Sequence, residues 1–470
     1  MHILIPVFFN APLGGLHENV LSTALYCKKN NCDVTVLCKP GLFQEKLNRL
    51  GIHTITTDFT EAELPQTLRK VVDLNDSNKI DIIHTHPFAS RWFAQHIARY
   101  LKIPFVITFH GKHTNKIETY IHEVDLVFTV SEGIKDYLID YLTKKNVANF
   151  KHKLFVMPNG VNRELFNKSI VPEIEKEKLN ISLVSRLDQD KQFIIDIFYK
   201  ALAFTSQQYT NKICWTIVGE GTQKDEMIRR GNEIAQGRNS IEFVGWKENE
   251  ELLNEYINSD ILIAPGRCAL EGMSCGKPVI ALGSKGYIGL IKENNWLDGV
   301  YSNFGGIGNK LESYVEGSIE NDLKYVIESQ EFRKNLGELS LNLIDQFYNE
   351  DNINGRLLGF YKMLFRANQN MTNTALESLD SYLLSIDYHS IELSNIEENK
   401  YLIKAKCMEI PGMKFAWYIY KDNKIYEKTS YSDNNVLSFN FTEKGSYRIK
   451  SYIKKNNSIV SCFSPYINID

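Results

Sequence analysis

The feature that most constrains the fold of this chain is a repeated alternation of short apolar runs with segments of helical periodicity. It is clearest where Ile261–Ile263 leads through a short helical segment into Val279–Ala281. Runs that are apolar at every position are typical of parallel strands buried on both faces. The helix between them begins at the carboxyl edge of the first strand, where open α/β sheets bind ligands. The chain is therefore predicted to form α/β domains with ligand sites at the sheet edges.

The alternation continues from the N terminus to about residue 366. Strands are predicted at His2–Phe8, Asp33–Cys38, His53–Thr57, Ile80–Ile83, Asp125–Val130, Leu154–Met157 and Ile213–Val218, and late helices at about Asn321–Ile344 and Asn352–Phe365. A chain of 470 residues exceeds what one core usually organises. We therefore predict two Rossmann-like domains, residues 1–165 and 166–366, that face a common cleft. Gly160, at the passage between them, is expected to adopt a positive φ.

The remaining residues change character. Residues 367–384 are polar and are predicted to be a linker. From 385 to 470, short segments alternate apolar and polar residues at period two, which favours a β-sandwich. Trp417 is its expected core aromatic, and Gly445–Tyr447 is predicted to form a feature like a tyrosine corner. Binding of glycan, joining of two protomers into a homo-oligomer and bracing of the other domains are all compatible with this pattern.

Composition excludes several classes of protein. With 54 basic and 57 acidic residues the net charge is −3, which argues against a nucleic-acid binder that acts through bulk electrostatics. No apolar run approaches the length of a membrane span, and the N terminus lacks a basic leader. The eight cysteines are scattered without metal-ligand spacing. We expect a cytoplasmic protein, with peripheral contact at the inner face of the membrane left open.

Three charged residues follow predicted strands. Arg186 and Lys191 surround one strand–helix turn, where two fixed cations would strengthen their attraction to a diphosphate as it departs. Such residues face solvent about as often. Glu271 is expected on the exposed side of its helix, since Leu270 and Met273 are expected to face the sheet. A carboxylate there can accept hydrogen bonds from vicinal hydroxyls, although a lone Glu is more often merely solvated.

Histidines, glycines and a tryptophan supply weaker signals. His84, His86 and His110 follow two predicted strands, and histidines at such positions are mostly structural. The pair Gly14 and Gly15 permits a tight turn next to a ligand, but it is equally common as a packing device. Further glycines follow strands at 219, 221 and 245, and Trp246 is either a stacking surface for a base or a core or rim residue.

Several of these segments together resemble one family. The run Gly266-Arg267-x-x-Leu270-Glu271-x-Met273-x-x-Gly276-x-Pro278-Val279 is similar to the donor-binding signature of retaining nucleotide-sugar glycosyltransferases with the GT-B architecture, in particular family four. The chain also resembles that family at Pro158–Asn162, Ser185–Lys191, Val218–Gly221 and Thr108–Gly111. The resemblance covers residues 1 to about 366. The first of the two Glu residues usual in the signature is absent, because Ile263 stands eight residues upstream of Glu271.

The resemblance implies roles for individual residues. Arg186 and Lys191 would grip the diphosphate, Glu271 would hold the ribose, and His110 would lie beside the donor sugar. The donor-binding residues it implies are Gly14, Gly15, Arg186, Lys191, Gly219, Gly221, Gly245, Arg267 and Glu271, and the catalytic ones are His110, Arg186 and Lys191. No Asp-x-Asp constellation stands where metal-dependent enzymes of this kind need one, so neither a metal nor a cofactor is expected.

The implied reaction is transfer of a sugar, with retention, from a nucleotide-diphosphate sugar to a glycan, lipid-linked or protein acceptor. UDP is favoured over GDP as the nucleotide, and assembly of bacterial surface polysaccharide or glycoconjugates is the expected setting. Two alternatives stay open. The chain could be a nucleotide-sugar epimerase or hydrolase with the same fold, which would turn over without an acceptor. It could also be a non-catalytic subunit that binds glycan, which would bind no nucleotide.

Overall fold

The protein consists of two α/β lobes and a C-terminal all-β domain. The computed structural model describes residues 1–9, 15–167, 177–284, 286–305, 314–369, 378–386, 389–397, 399–408 and 410–469. Gly14, which the sequence analysis named, lies outside the described residues. The predicted fold class is confirmed.

The first lobe is built on a seven-stranded parallel sheet with strand order β3-β2-β1-β4-β5-β6-β7. Its strands are β1 (His2–Val7), β2 (Asp33–Cys38), β3 (His53–Thr56), β4 (Ile82–Thr85), β5 (Phe105–Phe109), β6 (Leu126–Thr129) and β7 (Leu154–Val156). Its helices are α1 (Gly15–Lys29), α2 (Leu42–Arg49), α3 (Leu64–Ser77), α4 (Ala89–Leu101) and α5 (Glu132–Lys144). All six residues of β1 are buried, because helices cover both faces of the sheet.

The second lobe has a six-stranded sheet with the order β10-β9-β8-β11-β12-β13. Its strands are β8 (Leu179–Val184), β9 (Ile213–Val218), β10 (Ser240–Gly245), β11 (Ile261–Ala264), β12 (Val279–Gly283) and β13 (Gly286–Leu290). Its helices are α6 (Gln192–Gln208), α7 (Lys224–Ala235), α8 (Asn249–Asn258), α9 (Gly266–Ser274), α10 (Trp296–Tyr301), α11 (Ser318–Glu328) and α12 (Gln330–Leu343). The antiparallel edge strand β13 was not predicted. The single helix predicted over 321–344 is two helices, since Ser329 caps α12 by accepting from the Phe332 N–H at 3.1 Å.

The chain passes twice between the lobes, and the two passages lie side by side. Val161 pairs with Asn349 in a short parallel bridge, after which helix α13 (Glu350–Gln369) packs against α1 of the first lobe. Gly160 does not adopt the predicted positive φ, so that prediction is wrong. A Cβ atom at Gly160 would lie 2.6 Å from Glu350 Cα, so the glycine serves the close approach of the returning chain.

The C-terminal domain is formed by two packed antiparallel sheets and a short helix. Its elements are α14 (Leu379–Ser385), β14 (Ser390–Glu397), β15 (Lys400–Lys406), β16 (Lys414–Lys421), β17 (Lys424–Lys428), β18 (Val436–Asn440), β19 (Gly445–Lys455), β20 (Ser458–Phe463) and β21 (Ile467–Ile469). One sheet has the order β14-β15-β18, and the other has β17-β16-β19-β20, with β21 paired to β19. Trp417 is buried between them, and the Tyr447 hydroxyl donates to the Glu443 carbonyl at 2.9 Å, as a tyrosine corner does.

This domain is fixed to the first lobe through α14, whose residues share a hydrophobic core with α3 and α4. The Tyr382 hydroxyl donates to the His96 carbonyl at 3.0 Å, and Arg69 pairs with Asp380 at 3.0 Å. The predicted linker 367–384 is thus helical where it is described at its two ends, since α13 continues to Gln369 and α14 begins at Leu379. Across the described residues, no helix is both long and apolar enough to cross a bilayer.

Candidate functional site

A cavity of about 540 Å³ lies between the two lobes. The first lobe contributes residues of α1 and α2, and the second lobe contributes the turns after β8, β9, β10 and β11. The residues that line it and that the sequence analysis had singled out are Gly15, Arg186, Lys191, Gly219, Trp246, Arg267 and Glu271. Arg186, Lys191 and Glu271 therefore face one shared space and not separate surfaces.

Glu271 is buried in α9, and this corrects the expectation that it lies on the exposed side of its helix. Glu271 is only 5% exposed, because α8 and the segment after Val161 cover the side of α9 that does not face the sheet. Arg267 Nε donates to one carboxylate oxygen at 2.7 Å, and the Tyr256 hydroxyl donates to the other at 3.0 Å. Each oxygen retains a further lone pair with which it can accept from a ligand.

The electrostatics of this buried pair follow from desolvation and pairing. Burial raises the pKa of the Glu271 carboxyl above its ordinary value, while the charge and hydrogen bond of Arg267 act in the opposite direction. The pKa of Arg267 is raised as well, because attraction to Glu271 outweighs the effect of burial. Removing either partner of such a buried ion pair strongly destabilises the folded protein, because the other charge is left buried and unpaired.

Arg186 and Lys191 are held at the turn between β8 and α6 by two acidic neighbours. Arg186 donates to Asp188 at 2.8 Å and to Asp190 at 3.2 Å, and Lys191 pairs with Asp190 at 2.9 Å. Although partial burial opposes it, the hydrogen bond and charge of Lys191 lower the pKa of Asp190. The turn therefore presents two cations to the cavity in a fixed arrangement, with Arg186 still about half exposed.

Of the three glycines predicted after the strands of the second lobe, one reaches the cavity and two do not. Gly219 lines it with φ 146°, and a Cβ there would lie 1.9 Å from the Ser185 carbonyl oxygen. Gly221 and Gly245 do not line the cavity, contrary to their expected place among the donor-binding residues. Gly221 allows close contact with the Leu187 backbone, and the Gly245 carbonyl accepts from the Gly219 N–H at 2.9 Å. Both shape the turn that carries Gly219.

Trp246 lies on the rim of the cavity. Its side chain is 44% exposed, and its indole N–H donates to Glu248 at 3.0 Å. Of the roles considered for it, a core position is excluded by this exposure. The ring face remains accessible to a planar group that enters the cavity.

His110 does not line the cavity but belongs to a histidine cluster at the carboxyl ends of β4 and β5. Its Nε2 lies 3.0 Å from His86 Nδ1, and His86 Nε2 is buried without a partner among the described residues. His84 bridges the Tyr361 hydroxyl and Thr108, which makes it a structural residue. Burial, with a smaller effect from His113, lowers the pKa of His110 to about 4, so its imidazole is neutral near pH 7.

The buried histidines predict a loss of stability in acid. Burial, with a contribution from His110, lowers the pKa of His84 to about 3, below its ordinary value of 6.5. The unfolded chain therefore binds this proton first, and stability is lost as the pH falls from about 6.5 toward 3. Between about pH 7 and pH 5 we expect His84 alone to cost about 2 kcal/mol in the free energy of unfolding. Urea unfolding at both pH values should show that His84→Gln removes this part of the dependence. The same change at the exposed His152 should leave the pH dependence of stability unaltered. An equal pH dependence of stability in the two variants would contradict the assignment.

In the wall of the cavity opposite the cations, Lys46 and Glu350 were not anticipated from the sequence. Glu18 and Lys46 pair across α1 and α2 at 2.7 Å, and Glu350 enters from the start of α13. Burial raises the pKa of Glu350, and the Asn354 amide beside it donates to Ser22 at 2.7 Å. Lys46 and Glu350 lie on helices far apart in the chain, so no local sequence pattern predicted that they would line one cavity.

Two family models match the chain in succession. "Glycosyltransferase Family 4" matches residues 13–165, and "Glycosyl transferases group 1" matches residues 166–340, together about seven tenths of the chain. The chain belongs to the group 1 glycosyltransferases with the GT-B fold. The boundary between the two matches falls at the passage between the lobes, so the cavity lies where the two matched regions of this glycosyltransferase meet.

One relative and two solved structures are similar to the chain, and the solved structures share its fold. The glycosyltransferase is 24% identical over 322 residues to the alpha-monoglucosyldiacylglycerol synthase of Streptococcus pneumoniae, covering 58% of this chain and 69% of the relative. A glycosyltransferase from Rickettsia africae is similar in fold with a TM-score of 0.61 at 18% identity, covering 78% of this chain and 98% of the other. HepE from Anabaena, solved with UDP-glucose, has a TM-score of 0.56 at 17% identity and covers 77% of this chain and 100% of its own.

Proposed function

We propose that this glycosyltransferase moves a sugar, with retention and without a metal ion, from a nucleotide-diphosphate sugar to a glycan or lipid-linked acceptor. The observation that carries the proposal is the convergence of Arg186, Lys191 and Glu271 on one cavity between the lobes. Two cations and a buried carboxylate match the two polar parts of such a donor, its diphosphate and its ribose.

The chemistry assigned to the cations follows from charge. As the bond between the anomeric carbon and the diphosphate oxygen breaks, its electron pair stays on the diphosphate. The acceptor oxygen bonds to that carbon, and its proton passes to the departing diphosphate. Arg186 and Lys191 are held in place before the reaction, so they stabilise the leaving diphosphate without reorganisation. An Asp-x-Asp run does occur at this turn, as Asp188-Gln189-Asp190, but both of its carboxylates are paired with Arg186 or Lys191. This pairing supports charge neutralisation by side chains instead of a metal.

The nucleoside is assigned to the side of the cavity formed by α9 and the turn after β10. The free lone pairs of Glu271 can accept from the two ribose hydroxyls, and the exposed ring of Trp246 can stack on the base. The structure of HepE solved with UDP-glucose supports uracil as that base.

The acceptor is assigned to the first lobe, whose wall of Glu18, Lys46 and Glu350 faces the cations. The relative in S. pneumoniae is named for the synthesis of a glucosylated diacylglycerol, which supports a lipid-linked acceptor. With such an acceptor, we propose a place in the assembly of bacterial surface glycoconjugates.

Donor binding is the first test of this function. We expect UDP or a UDP-sugar, at about 100 times its dissociation constant, to stabilise the folded chain by about 2.7 kcal/mol, seen as a rise in Tm. Uridine without phosphates is the matched control and should give little effect, since it cannot engage Arg186 and Lys191. A screen of UDP, GDP, ADP and CMP and their sugars, with and without EDTA, would also test the base and the metal independence. No shift with any of them would contradict the proposal, and turnover of a donor without acceptor would favour an epimerase or hydrolase.

A further inference from the structure

The C-terminal domain turns one face of its larger sheet toward solvent. In β16 and β19 the alternate residues Phe415, Trp417, Ile419, Ile449 and Ile453 are buried against the other sheet. The residues between them point the opposite way, and at the edge Phe463 and Tyr466 are 41% and 56% exposed. We call this surface the basic aromatic face. It is formed by Tyr418, Tyr420, Arg448, Lys450, Tyr452, Lys454, Phe463 and Tyr466.

Most of the positive charge on the face has no carboxylate partner among the described residues. The outward side of β19 carries Arg448, Lys450 and Lys454. Lys428 lies on β17, opposite Tyr418 of β16. Within the four strands, which the structure describes throughout, the residues that point outward include no Asp or Glu. At the margin Lys414 pairs with Asp433 at 2.6 Å. The other sheet differs, because there Lys400 pairs with Glu397 and Lys406 with Glu392, each at 3.3 Å.

The aromatic rings of the face are interleaved with these cations. The guanidinium carbon of Arg448 lies 4.3 Å from the ring centre of Phe463 and 5.0 Å from that of Tyr466. Lys450 Nζ lies 4.9 Å from the rings of both Tyr452 and Phe463. The cations therefore occupy the ring faces that a sugar would need for stacking, which argues against a glycan as the partner.

We propose that the basic aromatic face docks this glycosyltransferase on the surface of a bilayer that contains anionic lipids. A flat sheet with uncompensated Lys and Arg is complementary in charge and shape to an extended anionic surface. Tyr and Phe among these cations suit the depth of the headgroups, where a ring meets apolar chains and its hydroxyl meets water. The inference concerns the C-terminal domain and does not depend on donor binding.

Vesicle flotation with the full chain tests the proposal. We expect binding to vesicles of phosphatidylglycerol and phosphatidylcholine in equal parts, weak binding to phosphatidylcholine alone, and loss of binding when NaCl rises from about 0.1 M to 1 M. The variant Arg448→Gln/Lys450→Gln/Lys454→Gln should lower the partition coefficient about a hundredfold, since each basic residue near an anionic surface contributes about fivefold. Phe463→Ser/Tyr466→Ser should weaken binding with all charges kept.

The matched control changes three lysines of the other sheet, as Lys400→Gln/Lys404→Gln/Lys406→Gln. It alters the net charge equally and should leave vesicle binding within about threefold of the unmodified chain. Equal losses in both triple variants would show that bulk charge, and not this face, drives binding. The proposal would be overturned if the protein did not bind anionic vesicles. It would also be overturned if the protein bound an acidic polysaccharide but not the vesicles.

Discussion

Replacing Arg186 with Ala is expected to lower kcat for sugar transfer by about 10² to 10³, and Lys191→Ala by a similar factor. Each change removes a cation that faces the leaving diphosphate, where negative charge grows as the bond breaks. The stability loss of Arg186→Ala should be less than about 1 kcal/mol, because its ion pairs are about half exposed and such pairs contribute little. Initial rates with a UDP-sugar donor, together with urea unfolding, would measure both effects.

The chain offers a matched control on α7. Arg229 also donates to two acidic residues, Glu226 and Glu233, but it lies outside the cavity. Arg229→Ala should leave turnover unchanged. Arg186→Lys would distinguish a planar fork that grips two oxygens from a point charge. Transfer at the unmodified rate by both Arg186→Ala and Lys191→Ala would remove the chemical basis of the proposed mechanism.

Changing Glu271 to Leu is expected to destabilise the chain by about 3 to 5 kcal/mol, because it leaves Arg267 charged and unpaired in a buried position. The double variant Arg267→Met/Glu271→Leu should recover much of that loss, since neither charge then remains. Glu271→Gln, which keeps the acceptor for Tyr256, should fold well enough to show weaker donor binding by calorimetry.

The control for this prediction has the same helical spacing on the surface. Glu233→Leu removes the partner of Arg229 four residues before it, with both side chains more than half exposed. It should cost less than about 1 kcal/mol. If Glu271→Leu cost no more than Glu233→Leu, burial would not govern the Arg267–Glu271 pair.

Much of the fold was predictable because buried parallel strands are apolar at every position. Asp33–Cys38 was predicted with the bounds of β2, and Ile213–Val218 with those of β9. The antiparallel strand β13 escaped, since two of its five residues are glycines and its identity depends on pairing with β12. The break at Ser329 escaped as well, because a polar residue within a helical pattern is compatible with a continuous helix.

The site was predictable only in part. The sequence placed Arg186, Lys191 and Glu271 at turns after strands, and such turns meet at one sheet edge. The prediction that Glu271 is exposed was wrong. Helical periodicity shows which side of α9 faces the sheet, but it does not show that Tyr256 and Phe166, from elsewhere in the chain, cover the other side. Glu350 and Lys46 could not be inferred, since only the packing of α13 and α2 near α1 brings them to the cavity.

The attachment of the C-terminal domain affects how the enzyme can move. Because α14 shares its core with α3 and α4, this domain and the first lobe should travel as one rigid body. The only covalent paths to the second lobe run through neighbouring residues at Val161 and Asn349. Opening and closing of the cavity should then be a rotation of the second lobe about those two strands. The first lobe would stay at a constant distance from a membrane to which the C-terminal domain is bound.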